Sequence, residues 1–333
     1  MGDVAMTVPV VRALSQQYPD VKITMVSRPF FKPFFDGIPN VDFFAVDVKK
    51  RHKGFLGLLT LYSDLKKLKI NAVADLHNVL RSQIITTLFK LSGTRVATTD
   101  KGREEKKQLT RLDSNKTIVP LLSMFERHVQ TFTHLGFPLN NISTIIFPAK
   151  QELSESTVAI TGFKSEKKWI GIAPFAQYET KVYPFDLMQQ VVKLLAGYPY
   201  KVFLFGGGAE EIVLLEQLKQ SNSNSVVIAG KLSFKEELQL ISNLDVMLSM
   251  DSGNGHIAAM FGVKVISIWG ATHPYAGFIP FNQPLTNSLL PDRTQFPLLP
   301  TSVYGNKVVK GYENAMRNIT PESIVEKIAT VAI

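Results

Sequence analysis

The chain contains no cysteine. That excludes a disulfide framework, a thiolate metal site, an iron–sulfur cluster and a cysteine nucleophile. No apolar run approaches the roughly 18 residues of a membrane span, and the N-terminus lacks the basic-then-apolar layout of a signal peptide. Cytoplasmic residence fits both absences. Neither GxSxG nor HExxH occurs, and the six histidines, at 52, 77, 128, 134, 256 and 273, show no metal-ligand spacing. Serine-hydrolase and zinc-hydrolase chemistry are thereby set aside, and neither a metal nor a cofactor is expected.

What is present is an ordinary globular mixture: 333 residues, 45% hydrophobic and 20% charged. That length suits about two domains. The formal charge of +9 is unevenly placed, with 22 basic and 12 acidic side chains in residues 1–150 against 15 and 16 in the remainder. A basic half suggests an anionic partner, a solubilising surface being the plain alternative. The basic residues are dispersed and no DNA- or RNA-binding motif accompanies them, so nucleic acid is not expected.

In the second half, β-branched apolar runs at Trp169–Ala173, Val202–Phe205, Val226–Ala229, Val246–Ser249 and Val265–Trp269 alternate with helical spacing near 185–196, 210–220, 234–243 and 255–261. Such alternation predicts βαβ units around a parallel sheet. The first half repeats it less cleanly. Strands are expected at 22–26, 43–46, 72–76 and 94–97, and helices at 7–17, 55–69, 82–91 and 120–135. No strand precedes the first helix, so the chain reads as starting at an internal methionine, its first strand missing. The polar stretch 148–168 reads as an interdomain connection, and 321–333 as a closing helix with Pro321 at its first position.

Two basic segments fall in the first half. Lys49, Lys50, Arg51 and Lys53 precede a stretch whose apolar positions 55, 58, 59, 62 and 65 follow helical spacing. It reads as a core-facing stripe, with a membrane-surface helix as the alternative. Residues 100–116, mixed in charge and poor in core residues, read as a mobile loop able to close over an anionic acceptor.

The segment richest in chemistry is Ser249–Pro274, SMDSGNGHIAAMFGVKVISIWGATHP. Asp251, Ser252 and Gly253 lie where a strand hands over to a helix, so free backbone N–H groups and the helix dipole favour a phosphate there. An ordinary capped turn, with Ser252 or Asn254 as cap and His256 in the first turn, is the plain alternative. Asp251 would repel phosphate, so it must turn toward loop amides or ligand hydroxyls, as a nucleotide sugar would allow. FGGGAEE, 205–211, lets the backbone approach a ligand but fits neither GxGxxG nor a P-loop. Its Glu210 is either a dipole-stabilising first-turn residue or a ribose acceptor. Lys181, in a loop after the first strand of this half, is either solvated or aimed at a phosphate. Asp3 is either a helix-leading acid or a general base.

Taken as an ordered set, GDV at 2–4 with TVPVVRAL, DLHNVLRS at 75–82, the Lys181 loop, FGGGAEE and the 249–274 segment resemble glycosyltransferase family 9, the ADP-heptose:lipopolysaccharide heptosyltransferases. The resemblance spans nearly the whole chain. It implies an α/β, GT-B architecture of two Rossmann-like doubly wound domains facing across a cleft. Residues 1–155 would be the acceptor-binding domain, 156–320 the nucleotide-sugar-binding domain and 321–333 the closing helix. The family's catalytic aspartate falls on Asp3. Its donor-binding residues fall on Lys181, Glu210, Asp251, Ser252, Gly253 and His256, with Ser252 in place of the usual threonine.

The activity so implied is inverting, metal-independent transfer of a heptose or related sugar from a nucleotide-sugar donor to an anionic glycolipid acceptor of the lipopolysaccharide core type. It would take place in the cytoplasm or with peripheral contact at the inner membrane. A nucleotide-sugar 2-epimerase of related fold and a non-catalytic nucleotide-binding protein are the alternatives.

Overall fold

The computed structural model describes residues 1–140 and 145–333. The chain divides into two compact units. The first holds Met1, Asp3–Arg103 and Leu122–Ile146; the second holds Gly2, Glu104–Leu121 and Phe147–Ile333.

The first unit opens with helices α1 (Gly2–Ala5) and α2 (Val8–Gln17), the latter with Pro9 in its first turn. There follow strand β1 (Ile23–Ser27), strand β2 (Val41–Ala45), α3 (Gly54–Lys66), β3 (Ala72–Asp75), α4 (Leu80–Leu91) and β4 (Arg95–Thr98). Helix α5 (Arg103–Leu109) leads out of the unit, and α6 (Met124–His134) belongs to it. Helix α6 starts in a reciprocal cap between Ser123 and Glu126. β1 pairs with β2 in parallel, Ile23 opposite Val41, and β3 with β4, Ala72 opposite Arg95. Among the described residues these remain two separate two-stranded sheets. This unit therefore has the expected alternation without the continuous doubly wound sheet.

The second unit contains α7 (Glu155–Thr161), β5 (Lys168–Ala173), α8 (Phe185–Leu195), β6 (Tyr200–Leu204), α9 (Ala209–Gln220), β7 (Ser225–Val227) and α10 (Phe234–Ser242). Next come β8 (Val246–Met250), α11 (Gly253–Met260), β9 (Lys264–Ile268), the two-residue β10 (Ser288–Leu289) and α12 (Pro321–Val331). Its sheet is six-stranded, in the order β10-β9-β8-β5-β6-β7, with every pairing parallel. The central strands read as continuous apolar runs because helices cover both faces. All five residues of β8 are buried, and each large apolar side chain so covered contributes about 1.5–3 kcal/mol. α12 packs against α8, β8 and β9, with Ile324, Val325 and Ile328 in the same core.

Two expectations are corrected and a third gains detail. The supposed mobile loop at 100–116 carries α5, with Lys106 and Leu109 buried. Its buried Lys116 donates to the carbonyls of Arg111 (2.9 Å), Leu298 (2.6 Å) and Pro300, so this stretch is fastened within the second unit. The stretch 148–168, expected as an interdomain connection, carries α7. Ser154 caps α7, and Ser154 and Ser156 both donate to Glu236 at the start of α10. Finally, the stripe on α3 divides: of positions 55, 58, 59, 62 and 65, Leu58 and Leu65 enter the core beside Leu61, Val46, Ile85 and Phe89 and Tyr62 packs against it, whereas Phe55 and Leu59 face outward.

Candidate active site

In the second unit, the carboxyl ends of β5, β8 and β9 are where a parallel sheet offers its loops to a ligand. Lys181 arrives there on a single helical turn, Glu179–Lys181, after β5. Asp251 follows directly on β8, where its N–H donates to Ile268 O at 3.1 Å and extends the strand pairing by one residue. The two side chains meet: Lys181 Nζ lies 3.0 Å from Asp251 Oδ2, with 13% and 8% of their side-chain surface exposed. Thr272, after β9, donates to the same oxygen at 2.8 Å. The Asp251 carboxylate oxygen is thus taken up by Lys181 and Thr272.

Ser252 occupies the N-cap position of α11 without capping it; its Oγ shares a 3.1 Å hydrogen bond with Ser249 Oγ. Gly253 is the first helical residue, and His256 is buried in the first turn. The first-turn N–H groups of α11 consequently take no hydrogen bond from the Ser252 side chain. With the helix dipole and the neighbouring ammonium they suit an anion. The three N–H groups of an ammonium also leave Lys181 with donors beyond the one given to Asp251.

Gly305 completes the setting of Lys181. It has φ +84°, and a β-carbon there would lie 2.3 Å from Lys181 Cδ. The aliphatic stem of the lysine therefore runs along bare backbone. Thr180 Oγ1 donates to Gly305 O, and Ser302 Oγ accepts from Gly305 N at 2.9 Å. His273 sits in the loop after β9, where Nδ1 accepts from Tyr275 N (3.1 Å). Burial, with Arg293 and Lys116 adding to it, pushes its pKa down to about 4, so the imidazole is neutral.

At the end of β6, Glu210 and Glu211 differ. Glu211 Oε2 accepts from Gly207 N at 2.7 Å and closes the glycine loop. Glu210 stays exposed in the first turn of α9, free to accept a hydrogen bond from a ligand hydroxyl.

In the first unit, the loops after β3 and β4 form a second polar cluster. Asp3, exposed in the single turn of α1, lies 3.8 Å from His77 Nε2 through its Oδ2. Asp75 ends β3 and is buried. Its Oδ1 accepts from the N–H of His77 (3.0 Å) and Asn78 (2.8 Å), while Oδ2 is buried without a hydrogen-bond partner. Asn78 Nδ2 donates to Thr99 O at 2.8 Å, joining the β3 loop to the β4 loop. Lys101 has its pKa lowered, chiefly by burial and further by Arg103, while Asp3 and Asp75 oppose the shift. Buried Arg127 braces this loop through Asp100 O (3.4 Å) and lies under Gly102. His128 is buried with neither ring nitrogen in a well-formed hydrogen bond. Burial pushes it down to about 4, the nearby main chain of Leu76 and Met6 and the charge of Asp3 opposing the shift. Asp75, His77, Lys101 and His128 escaped the sequence reading as site residues. The signal available was DLHNVLRS, whose position after an apolar strand marks a ligand-facing loop.

A six-stranded, all-parallel sheet flanked by helices, with its loops gathered at the carboxyl ends of the strands, makes this an α/β protein of Rossmann-like type. Residues 58–299 match the model of glycosyltransferase family 9 (heptosyltransferase), well over half of the chain, and the chain belongs to that family. It is a glycosyltransferase. Among relatives, it is 27% identical over 350 residues to lipooligosaccharide heptosyltransferase 2 of Haemophilus influenzae, covering 98% of this chain and 95% of the relative. Its fold resembles a family 9 glycosyl transferase from Veillonella parvula, with a TM-score of 0.73 at 17% identity covering 100% of this chain and 94% of the other. It also resembles E. coli ADP-heptose lipopolysaccharide heptosyltransferase II, with a TM-score of 0.66 at 18% identity covering 99% and 95%.

Proposed function

We propose that this protein transfers heptose from ADP-heptose to a lipopolysaccharide-core or similar anionic glycolipid, with inversion at the anomeric carbon and without a metal. The observation that carries the donor half is the uncapped first turn of α11 beside Lys181. A diphosphate leaving group gains charge as its bond to the sugar breaks, and these N–H groups and the ammonium would stabilise that charge most in the transition state. Asp251, held by Lys181 and Thr272, and Glu210 would orient donor hydroxyls. A relative and a solved structure that carry heptosyltransferase names, one of them an ADP-heptose enzyme, support the choice of sugar and nucleotide.

Asp3 is the proposed base. As the acceptor oxygen bonds to the anomeric carbon, its proton passes to the Asp3 carboxylate and the sugar–phosphate bond breaks, releasing ADP. Lys101, whose charge interacts with that of Asp3, would favour an anionic acceptor. No step in this scheme requires a metal, because cationic side chains and backbone dipoles meet the developing charge. Among the described residues no helix is long and apolar enough to cross a membrane; a cytoplasmic enzyme touching the inner membrane peripherally is the proposed setting.

The test is incubation of purified protein with ADP-heptose, UDP-hexoses or GDP-hexoses, with and without a heptose-deficient core acceptor, in the presence of a chelator. Acceptor-dependent release of ADP, unaffected by chelation, is expected. Conversion of the donor sugar without acceptor would replace this proposal with an epimerase.

A further inference from the structure

The turn entering α3 breaks two local rules together. Helix N-termini favour acidic residues, yet the first turn of α3 has none and is led by Lys49, Lys50, Arg51 and Lys53, all exposed. Beside them stand three apolar side chains that the core does not use: Phe55 (64% exposed), Leu56 (77%) and Leu59 (38%). When a segment goes against both charge and burial preferences, the compensation is to be sought in what it binds.

This tip is fastened from beneath. Asp47 Oδ1 accepts from the N–H of Lys49 (3.1 Å) and Lys50 (2.9 Å). His52, 3% exposed, points inward. Its Nδ1 accepts from Asp47 N (3.0 Å), and its Nε2 lies 3.4 Å from Asp64 Oδ2. Arg51 binds Asp64 with two hydrogen bonds of 2.8 and 2.9 Å, and Lys67 adds a third at 3.0 Å. Gly57 presses on the His52 backbone so closely that a β-carbon would lie 2.4 Å from His52 C. With His52 and Arg51 committed to this base, Phe55 and Leu56 are held outward, and among the described residues the side chains of Lys49, Lys50 and Lys53 enter no ion pair.

We propose that this tip docks on an anionic phospholipid bilayer, Phe55 and Leu56 entering the acyl boundary while Lys49, Lys50 and Lys53 meet the headgroups. Charge complementarity selects this occupant. An apolar patch ringed by unpaired cations fits a surface that is negative outside and hydrocarbon within. Each lysine near such a surface is worth about five-fold in partitioning. The purpose of this contact rests on the lipid-linked acceptor proposed above, but its measurement does not.

The test is co-sedimentation of the full chain with phosphatidylcholine vesicles, with or without phosphatidylglycerol and free of donor and acceptor. Binding is expected only with phosphatidylglycerol and is expected to weaken as salt rises. Phe55→Ser with Leu56→Ser, and separately Lys49→Glu with Lys53→Glu, should each reduce binding by at least about ten-fold. Leu91→Ser, which alters an equally exposed leucine on α4, should leave it unchanged. All variants should melt like the parent. Equal binding to both vesicle types, or variants that bind like the parent, would overturn the proposal. So would a Phe55–Leu56 variant whose only change is a halved mass in solution, since the patch would then face a second copy. Failure of heptose transfer to a water-soluble core fragment would instead count against the proposed function and leave the vesicle result standing.

Discussion

Lys181 and Asp251 form an ion pair at 3.0 Å, with 13% and 8% of their side-chain surface exposed, at the point where the β8 strand hands over to α11. Removing one partner leaves an uncompensated charge, which typically costs about 3–5 kcal/mol, whereas removing both is far cheaper. Lys181→Ala should therefore lower the melting temperature, and Lys181→Met combined with Asp251→Asn should recover most of that loss. Activity should not recover with stability. If Lys181 stabilises the departing diphosphate, transfer falls about 10²–10³-fold in both variants. Thermal melts beside initial rates separate these effects; a double variant with full activity would remove Lys181 from the chemistry.

Gly305 fixes where that lysine can lie. Its φ of +84° is strained for any other residue, and a β-carbon would displace the Lys181 stem. Gly305→Ala should cost about 1–3 kcal/mol of stability and weaken ADP binding in calorimetry. In a Lys181→Ala background the same substitution should have little further effect on ADP binding, because the two residues act through one contact. Additive losses would mean that Gly305 acts on the ligand by another route.

The second unit was legible because its strands are covered on both faces. Continuous apolar runs such as VMLSM, 246–250, can only be buried strands between helices, and the expected bounds match the observed ones to within about two residues. Of the residues proposed for the donor, Asp251, Ser252 and Gly253 were legible as a loop at a strand-to-helix handover. Glu211 rather than Glu210 closing the glycine loop was not, since either acid fits a helix start and only the backbone path decides. Lys116 and Lys106 misled for a physical reason: lysine signals solvent in a sequence, but Lys116 is buried by the chance of three carbonyls converging on it, a long-range fact. Helical periodicity on α3 marked an apolar stripe without showing that Phe55 and Leu59 stay outside the core while Leu61, off the expected stripe, enters it.

Asp3 Oδ2 and His77 Nε2 are 3.8 Å apart, beyond hydrogen-bond distance. If Asp3 takes the acceptor proton, Asp3→Asn should lower transfer by about 10²–10⁴-fold and leave the affinity for ADP as it was. His77→Ala should have a smaller effect, seen mainly in the acceptor KM. Equal turnover by Asp3→Asn and the parent would require another base.

Stability should fall on both sides of neutrality, from identifiable groups. His128 and His273 are held neutral by burial, each with its pKa pushed down to about 4 from a usual value near 6.5. The unfolded chain binds the proton more readily, so their contribution is lost as pH falls from 6.5 toward 4, at up to about 3 kcal/mol for each fully buried ring. Glu237, in the first turn of α10, is pushed the other way by burial, up to about 7. Its folded form favours the protonated carboxyl, so its contribution is complete below about pH 4.5 and is lost as pH rises through 7. Glu237→Gln, which keeps the shape and removes the charge, should leave the melting temperature unchanged at pH 5. At pH 8 it should raise it by several degrees, corresponding to about 1–3 kcal/mol. Melting curves of parent and variant across that range decide it: a shift of equal size at both pH values would show that the charge of Glu237 is not what burial is opposing.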